Sequence, residues 1–226
     1  MVDVLFEDNH LLAVNKPAGV LVQGDATGDE TLADRAKGYL KERYQKPGAV
    51  YLGVIHRLDR PVSGVVLFAR TSKALERMNA QFRDRATQKV YWAVVRQRPK
   101  QVSATLVHWL RKDEARNTTV WFPRETPSAL RSELSYDVLG EKGGFYLLRV
   151  QPVTGRPHQI RVQLAASGCP IVGDLRYGDR EPLPDARIAL HACSLAFVHP
   201  VSRTDTVINA PLPEHPFWDQ FASFAP

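Results

Sequence analysis

His56-Arg57-Leu58-Asp59-Arg60-Pro61-Val62-Ser63-Gly64 is a short polar run between two apolar ones, Val50-Tyr51-Leu52-Gly53-Val54-Ile55 before it and Val65-Val66-Leu67-Phe68-Ala69 after it. Both flanks read as buried strands, which makes the run a turn at strand ends. It sets one acidic side chain, Asp59, among His56, Arg57 and Arg60. Nearby positive charge favours the charged form of a carboxylate. Such a group at a strand end can act as a nucleophile or as an electrostatic stabiliser. The same pattern suits a solvated Asp–Arg pair capping a loop. These nine residues alone leave both readings open.

Outward from this run, the chain has 226 residues, 44% of them hydrophobic, enough for a sizeable core and most simply one domain spanning 1–226. A formal net charge of +6 favours a polyanionic partner. The two cysteines, Cys169 and Cys193, form no Cys-x-x-Cys pair, and small buried apolar roles in a reducing cytoplasm suit them. The seven histidines are scattered without metal-ligand spacing, so no metal site is expected. Phosphate-cradling Gly-rich loops, dinucleotide fingerprints and Gly-x-Ser-x-Gly elbows are also absent. No apolar run approaches the roughly 20 residues that cross a bilayer, and the N-terminus lacks signal-peptide order. The expectation is a cytoplasmic monomer, although no sequence signal fixes the oligomeric state.

Periodicity supplies the elements. Val4-Leu5-Phe6 and Leu11–Asn15 flank the turn Glu7-Asp8-Asn9 as a hairpin. A helix is expected over 31–44, with Thr31 and Asp34 as its cap and Leu32, Ala36, Leu40 and Tyr44 as its stripe. A second begins after Ser72 around Leu75, Met78 and Phe82. Strands follow from Lys89, near 104–109, 118–122, 131–139 and 145–151, with Gly140–Gly144 as the turn between the last two. Pro157–Ser167 reads as a helix with proline in its first turn, 188–198 as a strand and 214–224 as a closing helix. Many strands, few helices and no regular alternation of the two predict an α+β fold with a mixed, mostly antiparallel sheet.

His-Arg-Leu-Asp followed by Ser63-Gly64 resembles the catalytic-loop signature of the RluA-type RNA pseudouridine synthases. Other stretches match the family in order: Lys16-Pro17-Ala18-Gly19, Lys89-Val90-Tyr91, Thr154–Val162, Gly173–Gly178 and Leu190-His191-Ala192. The resemblance implies a pseudouridine synthase fold, a bent sheet with flanking helices and a central cleft. It implies isomerisation of uridine in structured RNA, ribosomal or transfer, with no cofactor. It casts Asp59 as the catalytic aspartate, Tyr91 as the active-site tyrosine and Arg161 as the arginine that pairs with the aspartate. Arg57 becomes an RNA contact that fills the space of a flipped base, and Lys16, Lys89, Arg156 and His158 become candidate phosphate contacts. His56 reads better as a structural, hydrogen-bonded residue. The chain departs from the family at Val62 and Pro157, where a hydroxyl residue is usual, and at Gln163, where histidine is common. Because it starts almost directly at the catalytic region, no N-terminal accessory RNA-binding domain is expected.

The reaction breaks a glycosidic bond, turns the uracil and rejoins it through carbon 5. That calls for a carboxylate beside the sugar, a flat apolar partner for the extruded base and a fixed cation. Two other readings compete: an inactive RNA-binding module of the same fold, and a glycosidic-bond hydrolase. The hydrolase would need a second carboxylate, for which Asp174 and Glu133 are the nearest candidates.

Overall fold

Continuous apolar runs in β2 (Leu11–Lys16), β4 (Ser63–Ala69) and the end of β5 (Gln88–Val95) are buried on both faces, whereas β8 (Leu130–Lys142) alternates in burial. The computed structural model describes residues 2–24 and 28–224. In chain order the strands are β1 (Val4–Glu7), β2 (Leu11–Lys16), β3 (Gly53–Val54), β4 (Ser63–Ala69), β5 (Gln88–Val95), β6 (Ser103–Asp113), β7 (Thr118–Phe122), β8 (Leu130–Lys142), β9 (Phe145–Pro152), β10 (Leu190–Val198) and β11 (Asp205–Asn209). The helices are α1 (Leu32–Arg43), α2 (Ser72–Arg83), α3 (Gln159–Ala166) and α4 (Pro216–Asp219). This is the expected α+β fold. The chain divides into two compact units, Met1–Gln88 with Ala192–Pro213, and Lys89–His191 with Glu214–Pro226. Among the described residues no helix is long and apolar enough to cross a membrane.

In the first unit β1, β2 and β4 run antiparallel, with Lys16 opposite Gly64, and β3 adds a short ladder to β4. Leu11, Ala13, Val65 and Leu67 join Leu195, Phe197 and Ile208 in one core with Ala74 and Met78 of α2. Leu12, Val14, Val66 and Phe68, on the opposite face, are equally buried. Helix α1 starts with the expected capping box: Asp34 N–H donates to Thr31 Oγ1 at 3.2 Å, and the Asp34 carboxylate accepts from Thr31 N–H. That hydrogen bonding to Thr31 holds the Asp34 carboxyl below its usual range. Its buried stripe stops at Leu40; Tyr44 caps the helix in solvent and donates its hydroxyl to Glu7.

In the second unit β9, β8, β6 and β7 form an antiparallel series, with β5 pairing β9. The expected five-residue turn shrinks to Gly143-Gly144, both at positive φ, because β8 continues to Lys142. Gly140 stays in the strand, where the Phe224 ring occupies the place of a Cβ. The helix expected from Pro157 begins at Gln159, since His158 adopts a left-handed conformation (φ 54°) that cannot continue a helix. The closing helix is one turn, α4, after which Phe221 packs beside Trp218 and Phe217. Strand β11, outside the expected strands, centres on the β-branched Thr206-Val207-Ile208 and pairs with β10, placing Ile208 in the core.

Of the strand expected over 50–55 only Gly53–Val54 pairs. The next β4 donor, Leu67 N–H, goes instead to His56 Nε2 at 3.0 Å, and the His56 ring stacks on Phe82. A side chain thus ends the ladder and starts the Asp59 loop. Gly64, just beyond that loop, has φ 117°, and a Cβ there would lie 2.2 Å from the Ala192 carbonyl oxygen. Backbone strain and a backbone clash coincide, so Gly64→Ala should lower unfolding free energy by about 3 kcal/mol or more. Denaturant midpoints of the two proteins would measure the loss.

Candidate active-site residues

The Asp59 loop has no ladder to hold it; its fixed points are side chains and one turn. Val62 N–H closes a turn on the Asp59 carbonyl at 3.0 Å, and Val62 itself is buried. Asp59 is half-buried and Arg57 exposed. Arg60 binds the loop to the Lys16-Pro17-Ala18-Gly19 segment twice: its carbonyl accepts Gly19 N–H at 2.8 Å and its Nε donates to the Gly19 carbonyl at 2.9 Å. Its far end pairs with Asp29.

Lys16 supplies the third tie. The side chain has no exposed surface, and Nζ donates to the carbonyls of Pro17, Val20 and Arg60 at 3.0, 2.7 and 3.1 Å. Expected as a phosphate contact, Lys16 is therefore a correction: its three donors are spent inside the protein, and nothing outside can reach it. Burial pushes its ammonium down to about 7, while the Asp59 carboxylate nearby opposes that and favours the charge. The sequence signal for this role was the position of Lys16 at the end of an apolar strand.

The second unit holds the remaining candidates. Lys89 and Tyr91 stand two residues apart on β5, and thus on one face; both are half-buried. A Cβ placed on Gly155 would lie 3.9 Å from Lys89 Nζ, which puts this ammonium beside the Thr154–Pro157 turn. That turn is stitched to β8 by Gln159, whose Oε1 accepts from Thr154 Oγ1 and Arg156 N–H at 2.7 and 3.0 Å. Gln159 Nε2 in turn donates to the Glu133 carbonyl.

Arg161, on the first turn of α3, is 5% exposed. Its Nε and one terminal nitrogen donate to the two oxygens of Asp174 at 2.7 and 2.9 Å, and its guanidinium lies over the Tyr177 ring at 5.0 Å. The Tyr177 hydroxyl accepts Thr119 N–H at 2.8 Å and lies 2.6 Å from His158 Nδ1. With Thr119 already donating, the Tyr177 proton serves His158 Nδ1, an assignment from the network that leaves His158 presenting Nε2–H. Burial pushes the Tyr177 hydroxyl above its ordinary value, so it keeps its proton for this bond. Asp174 and Tyr177 sit in a stretch that the sequence marks as family-like; the sequence offers Asp174 only as a candidate second carboxylate for a hydrolase and gives Tyr177 no role. Asp174 is 1% exposed with both oxygens on Arg161, which removes it as a free acid for glycoside hydrolysis. Glu133 is ion-paired with Arg131 at 2.6 Å. No group of three or more His, Cys, Asp or Glu side chains among the described residues is placed to hold a metal.

Residues 10–166 match the sequence profile described as RNA pseudouridylate synthase. The chain belongs to that family. Among its relatives, the ribosomal large subunit pseudouridine synthase C of Vibrio cholerae serotype O1 is 38% identical over 222 residues, 94% of this chain and 66% of that protein. The enzyme of the same name from Escherichia coli (strain K12) is 37% identical over 223 residues, 93% of this chain and 66% of its own. The chain thus spans about 66% of the length of the relatives it matches. Among solved structures, Human RNA Pseudouridylate Synthase Domain Containing 1 gives a TM-score of 0.74 at 25% identity, covering 96% of this chain and 86% of that one. Human RNA Pseudouridylate Synthase Domain Containing 4 shares the fold with a TM-score of 0.78 at 24% identity, covering 98% and 90%.

Two measurements probe the family's buried cations here. Between about 7 and the ordinary lysine value of 10.5, the unfolded chain holds a proton on Lys16 that the folded chain has released. Stability contributed at this position therefore rises with pH across that window. Comparing denaturant midpoints from pH 7 to 10, the gap between wild type and Lys16→Met should shift towards wild type; a gap independent of pH would contradict the burial of a titrating ammonium. In the second unit, Asp174→Ala removes the carboxylate that accepts from two nitrogens of the buried Arg161 and should cost about 3–5 kcal/mol. Asp174→Glu, which keeps the charge, should lose less.

Proposed function

We propose that the chain isomerises specific uridines to pseudouridine in structured RNA, with large-subunit ribosomal RNA as the substrate class. The observation that carries this reading is the Asp59 loop: a carboxylate in a family-matching signature, tied at Arg60 and facing a buried cation at Lys16. The ribosomal assignment is supported by the names of relatives 37–38% identical to the chain. Asp59 serves as the nucleophile on a flipped-out uridine, and the carboxylate's place beside the sugar suits both attack and stabilisation of a charged intermediate. Tyr91 offers the flat face for the base and a hydroxyl for proton transfer. Arg161 is the third member of the set, its guanidinium preset in one orientation by Asp174.

Arg57 is exposed and makes no hydrogen bond or ion pair with the described residues, so its planar cation is free to take the space of the displaced base. Lys89, Arg156 and His158 line the approach from β5 and the turn before α3 as contacts for phosphate or sugar. The two units act together as one catalytic domain.

The test is pseudouridine mapping on ribosomal and transfer RNA incubated with the protein. Asp59→Asn should abolish product while leaving the melting temperature and RNA affinity close to wild type; measurable turnover would remove the nucleophile assignment. Tyr91→Phe should bind RNA normally and turn over at least a hundredfold more slowly, the lower end of a general acid–base contribution of roughly 10²–10⁴-fold. RNA bound without product would leave an inactive binding module, and free uracil would mean hydrolysis.

A further inference from the structure

The second unit contains a cavity of about 440 Å³ between β6, β7, the start of β8 and the turn before α3. Its apolar surfaces come from Leu110, Leu130 and Pro157, and its cations are Arg111, Lys112 and Arg156. No carboxylate lines it. In β-sheet register Leu110 stands opposite Trp121 on one side and Leu130 on the other, so the three project from the same face. Trp121 is 40% exposed and Leu130 52%, leaving an aromatic ring and an aliphatic side chain open beside the cations. Arg156 Nε is buried and has no hydrogen-bond partner among the described residues. A buried donor without a partner is costly, and an acceptor brought by a ligand would relieve it.

We propose that this cavity is a second nucleotide subsite, which holds one unpaired nucleotide of the substrate RNA in addition to the target uridine. The base lies against Trp121, Leu110 and Leu130, and the flanking phosphates meet Lys112, which shares their sheet face, and Arg156; the Arg111 guanidinium lies on the opposite face, over the Phe122 ring at 5.0 Å. The size is within the roughly 300–1,000 Å³ of pockets that enclose small ligands. A stacking surface edged by cations is the arrangement that binds single strands, because every base has a π-face and every linkage a charge. A duplex would offer only its backbone to such a concavity. The proposal rests on the RNA reading above and gives it a means of choosing among RNAs: a substrate would need an unpaired nucleotide at the correct distance from its uridine.

Two experiments separate the subsite from the catalytic reading. The first follows a labelled, short single-stranded oligoribonucleotide by fluorescence anisotropy and needs no turnover. Lys112→Ala should bind about fivefold more weakly, and the slope of log affinity against log salt should fall by about 0.7, as for one lost phosphate contact to a single strand. Trp121→Ala should weaken the same oligonucleotide about tenfold, at the scale of one lost base stack, but leave an otherwise identical abasic strand unaffected. Unchanged affinity and salt slope would overturn the subsite, as would equal losses on a duplex of the same sequence. The second experiment is single-turnover kinetics on a reactive RNA: the half-saturating concentration should rise about fivefold in Lys112→Ala while the saturated rate is retained. A lowered saturated rate with unchanged half-saturation would also overturn the proposal. If wild type modifies no RNA at all, the catalytic reading fails alone and the oligonucleotide results still decide the subsite.

Discussion

A lysine ammonium wholly removed from water must be compensated by its surroundings, and Lys16 is compensated by three peptide carbonyls. Two of these belong to the residues shortly after it, and the third to Arg60, 44 positions away in sequence. The consequence is mechanical. Residues 17–20 and 57–61 have no strand ladder of their own, yet one cation makes them a single body. Arg60 strengthens the bond from the other direction through Gly19, and His56 fixes the loop's entry to β4. The position of the Asp59 backbone follows from these few contacts.

The two units solve the problem of a buried cation differently, and the difference has an electrostatic meaning. Arg161 meets a carboxylate in a two-pronged arrangement, so the Arg161–Asp174 pair carries no net charge. Lys16 meets only dipoles, which satisfy its donors without pairing its charge, so burial pushes it down to about 7 and it is charged mainly below that pH. The nearby Asp59 carboxylate favours that charged form. A compact ammonium with three donors suits a cage of carbonyls, whereas a planar guanidinium suits a carboxylate and an aromatic face. The residue types are therefore not interchangeable, since Lys16 gathers three carbonyls and Arg161 holds a direction.

Much of this was legible in the chain. Most of the strands, the capped helix at Thr31, the Met78 stripe and the Asp59 loop's place before β4 follow from local pattern, because local pattern is what specifies them. The corrections share a cause. Lys16, the shortened β3 and the helix start after His158 depend on partners remote in sequence, or on one residue's left-handed backbone, and no window of neighbours records those. Asp174 shows the same limit. Its neighbours marked it as unusual, but only the fold shows that both its oxygens face Arg161. Strand β11 has only three β-branched residues between Asp205 and Asn209, a signal too short to read alone, and pairing with β10 fixes it.

The departures from the family pattern fit this scheme. A threonine at position 62 would add a hydroxyl to hold the loop, but here Val62 is 2% exposed and contributes its backbone N–H to Asp59 and its methyl groups to an apolar setting. The loop does not need the hydroxyl, because Lys16, Arg60 and His56 already restrain it from three directions. Pro157 gives up an N–H at a position where its carbonyl is the group in use, accepting from Thr119 Oγ1 at 3.0 Å. Gln163 is fully buried and donates Nε2 to the Leu106 carbonyl at 3.0 Å, within reach of the Ser132 carbonyl and His108, joining α3 to β6 and β8. An amide can do this in a site where burial disfavours a charged imidazole, as it does for the neighbouring His108. The departures therefore alter which atoms hold the scaffold while the positions of Asp59 and Arg161 within their own units remain specified.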